Sequence, residues 1–166
     1  MRAVPDVEFK CRELGGWVTK TSDDYFRGKR VVLFSLPGAF TPTCSNKQLP
    51  GYEGSFDNFM DLGIDEVYCI SVNDAFVMNA WAADLSITNV EMIPDGSGTF
   101  TTGMNMLVDK DDKGFGFRSW RYAAIIDDCM VEKLFEEPGK DDNCADDPYG
   151  ESSPENIITY LENNND

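Results

Sequence analysis

The sequence predicts an α/β protein whose central mixed β-sheet is flanked by helices and preceded by an N-terminal β-hairpin. Two continuous apolar runs, 30–36 and 66–72, have the composition of strands that are buried on both faces of a sheet. Segments with apolar residues at helical spacing follow both runs, so strands and helices alternate along the chain. The 166 residues are enough to bury a sizeable core, and we expect a single domain over 1–166.

The first elements are two short strands and one buried strand. Residues 7–12 alternate between polar and apolar side chains, and a Gly-Gly pair predicts a turn into a second short strand near 17–19. The buried strand 30–36 ends at a Pro-Gly pair. A helix follows, and we expect a kink near Pro50 because proline has no N–H to donate. Its apolar residues at helical spacing are Leu49, Tyr52, Phe56, Phe59 and Met60.

The middle of the chain continues the alternation of strand and helix. A second buried strand is expected over 66–72, and Asp74 is well placed to cap the helix that follows it. A third strand over 90–93 ends at a Pro-Asp-Gly turn, and a short helix is expected over 99–104.

The chain closes with a hairpin and a helix. Residues 122–126 and 130–135 are expected to pair, with the turn at 127–129. An acidic loop over 140–152 leads to a C-terminal helix over 153–162, whose Ser-Pro start is typical of a helix N-terminus. This order of elements is that of the thioredoxin-like fold.

The charge of the chain and its lack of histidine exclude several function classes. Lys and Arg total 14 against 30 Asp and Glu, for a formal net charge of −16, which we interpret as a solvated acidic surface. Such a chain is repelled by phosphate backbones and anionic lipids, so we expect no nucleic acid and no membrane as partners. The sequence shows neither an apolar run long enough to span a bilayer nor a hydrophobic signal region, so we expect a cytoplasmic location. Without histidine, Ser-His-Asp catalysis, Cys-His catalysis and His-ligated metals are excluded, and we expect neither metal nor cofactor.

One cysteine stands apart from the others. The five cysteines, at positions 11, 44, 69, 129 and 144, form no CxxC pair and show no metal-ligand spacing. Cys44 follows a buried strand and a Pro-Gly turn, where a helix should begin. A helix N-terminus offers unpaired N–H groups and a positive dipole end, and both favour a thiolate. Thr41 is placed to hydrogen-bond the sulfur or an oxygen bound beside it.

Ionisation alone does not make a cysteine fast. A thiol with the ordinary pKa of about 8.5 is only a few per cent ionised at neutral pH, so complete ionisation gains roughly 30-fold in reactivity. Part of this gain is lost because nucleophilicity falls as the pKa falls. A second group must therefore stabilise charge in the transition state, and in a chain without histidine the natural candidate is an arginine.

Four segments of the sequence form a recognisable set. The first reads Pro-Gly-Ala-Phe-Thr-Pro-Thr-Cys-Ser and contains Pro37-x-x-x-Thr41-x-x-Cys44. The others are the segments 49–52, 71–78 and 118–123. Together they resemble the peroxiredoxins, in particular the peroxiredoxin-five (type II) subfamily, and the resemblance extends from about residue 7 to 138.

The resemblance implies a thiol-dependent peroxidase that reduces hydrogen peroxide and organic hydroperoxides, with a role in antioxidant defence and redox homeostasis. It implies that Cys44 attacks the peroxide and becomes a sulfenic acid. It also implies that Thr41 orients the peroxide, that Pro37 shields the pocket from water, and that Arg121 holds thiolate and peroxide together. Arg118 belongs to the same segment, and we expect its loss to matter far less.

The resemblance leaves the recycling step open. It implies an external thiol reductant, which is glutaredoxin, glutathione or thioredoxin, but some relatives resolve the sulfenic acid with a C-terminal cysteine. Cys144 lies close to the corresponding place, although the carboxylates of its loop should disfavour a Cys144 thiolate. The alternative is a free thiol in a solvated loop. The resemblance also implies a homodimer, with the loops around Phe40 and Trp81 as its interface.

The other three cysteines are interpreted as taking no part in the chemistry, and two alternative functions stay open. Cys11 and Cys69 lie in predicted strands and are interpreted as core residues, and Cys129 occupies a turn. The chain could instead be a thioredoxin-fold module that senses redox state or holds clients, with Cys44 oxidised but not turned over. A thiol–disulfide oxidoreductase is the third hypothesis, which the lack of a CxxC pair disfavours.

Overall fold

The computed structural model describes residues 2–164 and has the predicted mixed sheet flanked by helices. The strands are β1 (Arg2–Ala3), β2 (Glu8–Glu13), β3 (Gly16–Thr21), β4 (Arg30–Ser35), β5 (Glu66–Ser71), β6 (Glu91–Pro94), β7 (Leu107–Asp109), β8 (Phe117–Ser119), β9 (Tyr122–Asp127) and β10 (Met130–Glu136). The helices are α1 (Ser22–Phe26), α2 (Leu49–Gly54), α3 (Phe56–Asp61), α4 (Ala75–Asp84), α5 (Thr99–Gly103) and α6 (Pro154–Asn164). A π-helical turn, Cys44–Gln48, leads into α2, and a 3-10 turn spans Asp111–Lys113.

The central sheet has the strand order β1-β10-β9-β4-β5-β6. Strands β4, β5 and β6 are parallel, whereas β9 pairs antiparallel with β4 and with β10. Successive side chains of β4 lie on opposite faces, so that Val31 and Leu33 join one apolar cluster while Val32 and Phe34 join the other. This double burial is the reason that the sequence of β4 is apolar throughout.

The two faces of the sheet are covered by different kinds of elements. We call one the hairpin face, because the β2–β3 hairpin covers it together with α1 and α5, and Phe9 and Phe26 pack there. The other is the helix face, which is covered by α2, α3, α4 and α6. Ala123 and Ile125 of β9 point to the helix face. By the alternation of a strand, Arg121, the residue just before β9, belongs to that face as well.

The elements predicted from the sequence are confirmed in type and order, and the structure adds β1, α1 and the β7–β8 hairpin. The irregularity expected near Pro50 is the π-helical turn, which ends at Gln48, and the helical segment is interrupted at Ser55. The C-terminal helix has the predicted cap, because the Ser153 hydroxyl accepts the N–H of Asn156 at 3.3 Å. Within residues 2–164, every helix is too short or too polar to cross a membrane.

Candidate active site

The chain between β4 and α2 presents Cys44 in the first turn of a helix. The helix begins at Pro42, a residue that loses nothing there because the first N–H groups have no intrahelical partner. The carbonyl of Thr41 accepts the N–H of Ser45 at 2.9 Å, which closes the first turn around the cysteine. Cys44 is completely covered from solvent. The sequence prediction of a cysteine at a helix N-terminus is thus confirmed.

The helix is π-helical from Cys44 to Gln48, immediately after its start. The N–H of Leu49 donates to the carbonyl of Cys44, five residues back, and Pro50 has no N–H to continue a regular ladder. Such π-helical turns occur frequently at functional sites. Here the turn places Cys44 and Gln48 on the buried side of the helix, where both side chains meet Arg121.

Arg121 is the cation of the site. Its Nη1 lies 3.4 Å from the sulfur of Cys44 and also donates to Oε1 of Gln48. Its Nη2 lies 2.6 Å from Oδ1 of Asp147. Burial by itself would lower the pKa of Arg121, but the neighbouring Cys44 sulfur and the Asp147 carboxylate outweigh it and raise that pKa. A permanently charged guanidinium therefore lies against the thiol.

One donor of this guanidinium is unused. Among the described residues, Nε of Arg121 is a buried side-chain nitrogen that has no hydrogen-bond partner. Buried donors are nearly always paired, so an unpaired one beside a nucleophile is a site for a ligand oxygen. Arg121 can therefore contact the sulfur through Nη1 and bind a reacting oxygen through Nε, which would stabilise charge on both.

Pro37 and Thr41 form the entrance to the site. The Thr41 hydroxyl donates to the carbonyl of Gly38 at 2.8 Å, so its lone pairs remain free to accept a hydrogen bond from a ligand. Pro37 is buried, and its carbonyl accepts Nη1 of Arg118 at 3.3 Å. Both residues line a cavity of about 120 Å³ whose wall also includes Phe115. Two larger cavities, of about 310 and 320 Å³, border the β2–β3 hairpin and contain none of the predicted site residues.

The loop before Cys44 is held by the segment 71–78, which belongs to the motif set. Oδ1 of Asn73 accepts the N–H of Ala39 at 3.0 Å and the hydroxyl of Ser71 at 2.7 Å. Phe40 adopts a left-handed backbone conformation with φ +66°, which is costly for a bulky residue and is kept only where its surroundings enforce it. The motif residue Asn73 thus fixes the turn that delivers Cys44.

The structure does not bring Cys144 to the site. Cys144 is partly buried against the hairpin face of the sheet, whereas Cys44 packs in the cluster on the helix face. All five cysteines are free. Cys69 of β5 is fully buried on the helix face, as predicted for a core residue, and burial followed by the proximity of Cys44 raises the pKa of its thiol.

Sequence reasoning missed three residues around Arg121. Gln48 lies four positions after Cys44, which is a spacing that shares one face of a helix, so its place near the sulfur could have been inferred. Asp147 and the ring of Tyr149, whose centroid lies 5.7 Å from Cζ of Arg121, belong to the loop that was expected to be solvated. No local signal marks either of them, because they reach Arg121 only through the fold.

The two residues named for the expected interface differ in exposure, and the interface itself stays a prediction. Phe40 is 51% exposed, whereas Trp81 lies in α4 rather than in a loop and is fully buried. The reason is its position on α4, where it shares the core-facing side with Met78. Its Nε1 donates to the hydroxyl of Ser45 at 2.9 Å, which ties α4 to the residue after Cys44.

Comparisons with known proteins agree with this geometry. The family model described as Redoxin matches residues 2–149. A peroxiredoxin of Sinorhizobium fredii is 57% identical over an alignment of 169 positions, gaps included, that covers 96% of this chain and 90% of that protein. The structure of Plasmodium falciparum antioxidant protein, a 1-Cys peroxiredoxin, matches with a TM-score of 0.93 and 38% identity, and covers 98% of this chain and 97% of that one. Reduced Prx3 of Vibrio vulnificus in complex with hydrogen peroxide matches with a TM-score of 0.87 and 38% identity, over 97% and 94% of the two chains.

The similarity extends over nearly the whole chain, well beyond the segment around the cysteine. It confirms the family resemblance that the four sequence motifs indicate, and it confirms the thioredoxin-like fold. The chain belongs to the redoxin family and is a peroxiredoxin, a thiol-dependent peroxidase.

Proposed function

We propose that this protein reduces hydrogen peroxide and organic hydroperoxides with Cys44 as the peroxidatic nucleophile. The observation that carries the proposal is the contact of 3.4 Å between Nη1 of Arg121 and the sulfur of Cys44, in a site closed to bulk solvent. A guanidinium at this distance favours the thiolate and stays charged at any pH at which the protein is folded. The hydrogen peroxide in the similar Vibrio vulnificus structure supports the substrate.

The reaction needs only the groups at the site and one proton from solvent. The Cys44 thiolate attacks one peroxide oxygen, the S–O bond forms as the O–O bond breaks, and hydroxide or an alkoxide leaves. The leaving oxygen takes a proton from water to become water or an alcohol, and Cys44 is left as a sulfenic acid. In this proposal the free Nε of Arg121 and the first-turn N–H groups stabilise the charge shared by the three atoms. Thr41 accepts the peroxide O–H, and Pro37 keeps water out of the pocket.

Recycling is proposed to use an external thiol in a one-cysteine mechanism. One thiol condenses with the sulfenic acid to give a mixed disulfide and water, and a second thiol releases Cys44 and forms the oxidised reductant. The separation of Cys144 and Cys44 on opposite faces of the sheet supports this mechanism, as does the similarity to a 1-Cys peroxiredoxin. Glutaredoxin, glutathione and thioredoxin remain the proposed reductants, and Cys144 as a resolving residue is the competing proposal.

The biological setting of this activity also belongs to the proposal. A role in antioxidant defence and redox homeostasis follows from peroxide removal. Five free cysteines fit a reducing compartment such as the cytoplasm. A homodimer that uses the exposed Phe40 stays a prediction, and it is testable by sedimentation of the wild-type protein and of Phe40→Ser.

The experiment that tests the function is peroxide consumption with substoichiometric enzyme and each candidate reductant in turn. Cys44→Ser should abolish turnover, whereas Cys144→Ser should leave it unchanged in a one-cysteine mechanism. Mass spectrometry of the peroxide-treated protein should find one added oxygen on Cys44. Turnover by Cys44→Ser would refute the proposed nucleophile. A Cys44–Cys144 disulfide would replace the one-cysteine mechanism, and stoichiometric oxidation without turnover would favour a redox sensor.

A further inference from the structure

The acidic loop folds back over the active site as a strap, and we call residues 140–152 the acidic strap. Its first end is bonded to the segment after β7. Oδ1 of Asp142 accepts the N–H of Asp109 at 2.8 Å, and the N–H of Asn143 donates to the carbonyl of Asp109 at 2.7 Å. Oδ1 of Asn143 accepts the N–H of Asp112 at 3.0 Å. These hydrogen bonds fix the entry of the acidic strap next to Cys144, which packs partly buried against the hairpin face.

The second end of the acidic strap is held by a buried carboxylate. Glu137 is 1% exposed, and its oxygens accept the N–H groups of Gly150, Glu151 and Ser152 at 2.7–3.2 Å, together with the Ser152 hydroxyl at 2.5 Å. The N–H of Glu137 donates to the carbonyl of Arg121 at 3.2 Å. The exit of the acidic strap is therefore fixed directly beside the arginine of the active site.

Between its fixed ends, the acidic strap touches the Arg121 guanidinium. Oδ1 of Asp147 lies 2.6 Å from Nη2, and the ring centroid of Tyr149 lies 5.7 Å from Cζ. Asp147 itself is 45% exposed at its side chain, while the side chain of Arg121 is 2% exposed. The carboxylate thus reaches from the surface onto a buried cation that already contacts Cys44 through its other terminal nitrogen.

We propose that Asp147 is a positioning residue of the peroxidase, which holds Arg121 with Nη1 on the Cys44 sulfur and with Nε free for the peroxide. The inference rests on the proposed function and extends it to a second group behind the arginine. A guanidinium is a planar fork, so a charged hydrogen bond to one terminal nitrogen fixes the directions of the others. Without Asp147, Nη2 would lose its partner in a buried site, and the guanidinium would rotate to find another.

Asp147 has two effects that can be measured separately. Its hydrogen bond orients Arg121, which determines the rate once the thiolate is formed. Its negative charge opposes the field of Arg121 at Cys44, which disfavours the thiolate. Cys69 on β5 and Tyr149 on the acidic strap also face this pair, and the titratable residues Lys110, Lys113 and Asp146 line the entrance cavity together with Asp147. Burial first, and then the charge of Glu155, raise the pKa of Tyr149 to about 12, so that it stays neutral near neutral pH.

The experiment compares Asp147→Asn with Asp147→Ala. Asparagine keeps an acceptor oxygen and removes the charge, whereas alanine removes both. The rate of Cys44 oxidation by hydrogen peroxide, measured by stopped flow from acid to alkaline pH, should reach its midpoint at lower pH in Asp147→Asn, which loses the opposing charge and keeps Arg121 in place. The plateau rate should stay within about twofold in Asp147→Asn and fall about tenfold in Asp147→Ala, because only the second variant misplaces the arginine.

The matched control is Glu151, another carboxylate of the acidic strap, which is exposed, is not the one paired with Arg121 and does not line the entrance cavity. Glu151→Gln and Glu151→Ala should change the midpoint less and leave the plateau unchanged. Equal plateaus for Asp147→Ala and Glu151→Ala, or an unmoved midpoint in Asp147→Asn, would overturn the proposal.

A second readout separates this inference from the proposed function. The pH dependence of Cys44 alkylation by iodoacetamide, followed on the Cys44 peptide, reports the thiolate without any peroxide. A shift of its midpoint in Asp147→Asn supports the contact between Asp147 and the Arg121–Cys44 pair even if peroxide is not turned over. Wild-type protein without Cys44-dependent turnover would refute the proposed function alone, while an unshifted alkylation midpoint would refute the role of Asp147.

Discussion

Two segments enclose the Cys44 site, and they are held in place by different chemistry. The loop that leads to Cys44 is held largely by neutral groups, with the Asn73 amide on Ala39 and the Thr41 hydroxyl on the Gly38 carbonyl. The acidic strap is held by carboxylates, with Glu137 at its exit and Asp147 on Arg121. Neither segment is a regular helix or strand, so side-chain hydrogen bonds hold both of them. The bonds of the acidic strap are the stronger ones, because charged hydrogen bonds are roughly twice as strong as neutral ones.

The length and composition of the two segments explain why they are held by different groups. The loop before Cys44 is short and follows a central strand, so neutral bonds suffice to fix it. The acidic strap is long and poor in apolar side chains, so carboxylates that accept several N–H groups replace a hydrophobic anchor. The following changes test this contrast, in order of decreasing expected effect.

Loss of Arg121 should have the largest effect, because this residue joins the two segments. Arg121→Ala should lower the rate of Cys44 oxidation by about 10²–10³-fold, the range found when a preorganised donor is removed from an active site. Arg118→Ala removes a brace on the Pro37 carbonyl and should lower the rate by less than about tenfold. Both rates of Cys44 oxidation are measured by stopped flow at a pH where the rate has reached its plateau. Equal losses of rate in the two variants would mean that Arg121 is not the stabilising group.

Loss of the Glu137 carboxylate should release the acidic strap. Glu137→Gln should lower the free energy of unfolding by about 2–4 kcal/mol, because the new amide cannot accept from all the donors that converge on it. Glu136→Gln is the matched control, because Glu136 is exposed. Its ion pair with Lys140 is long, at 3.6 Å, and therefore weak, so we expect the free energy of unfolding to change by about 0.5 kcal/mol. Urea denaturation gives both values. A Glu137→Gln variant as stable as the control would contradict the idea of a carboxylate anchor.

The neutral amide of Asn73 should contribute less to the stability of the protein than the carboxylate of Glu137. Asn73→Ala removes the acceptor for Ala39 and Ser71, and should lower the free energy of unfolding by about 1–2 kcal/mol. Asn73→Asp keeps an acceptor in the same place and should recover most of that loss. If Asn73→Ala costs more stability than Glu137→Gln, the contrast between the two segments is reversed.

Loss of the Glu53 carboxylate, on α2, should have the smallest effect on stability, and this effect should depend on pH. Burial would raise the pKa of Glu53, but the N–H groups of Val90, Asn89 and Thr88 outweigh it and lower that pKa below its ordinary value of 4.5. Because the folded-state pKa is the lower one, the clamp stabilises above the unfolded pKa and loses its effect as the pH falls through the folded value. Glu53→Gln should cost about 1 kcal/mol at neutral pH, and progressively less as the pH falls through the folded-state pKa of Glu53. A cost that stays the same from neutral to acid pH would show that the charge is irrelevant.

The secondary structure could be predicted where the sequence has a long hydrophobic pattern or a clear capping or turn residue at its end. The apolar run of β4 and the cap at Asp74 gave the right elements because burial on both faces and a capping carboxylate leave direct traces in the sequence. Helix α1 has only five residues and β7 and β8 have three each, too few for a periodicity to appear.

The site could be predicted only as far as its residues are local or belong to a known motif. Cys44 and Thr41 stand three residues apart, and Arg121 is recognised through its segment. Asp147 lies 26 residues beyond Arg121, and no pattern in the sequence joins them. The interpretation of the acidic residues as a solvated surface is wrong at Glu137, which is buried and accepts backbone N–H groups, and it is incomplete at Asp147, which pairs with Arg121. A charge count cannot tell a solvated carboxylate from one that has such a partner.

The covered position of Cys44 has a practical consequence for dyes and thiol assays. Cys44 and Cys69 are completely covered, while Cys129 at the tip of the β9–β10 hairpin and Cys144 are partly exposed. A bulky maleimide will therefore modify Cys129 and Cys144 first. A colorimetric count of reactive thiols will follow the surface of the protein and remain nearly constant while the active site is oxidised. Fluorescent reporters attached through cysteine should accordingly be placed on a Cys129→Ser, Cys144→Ser background.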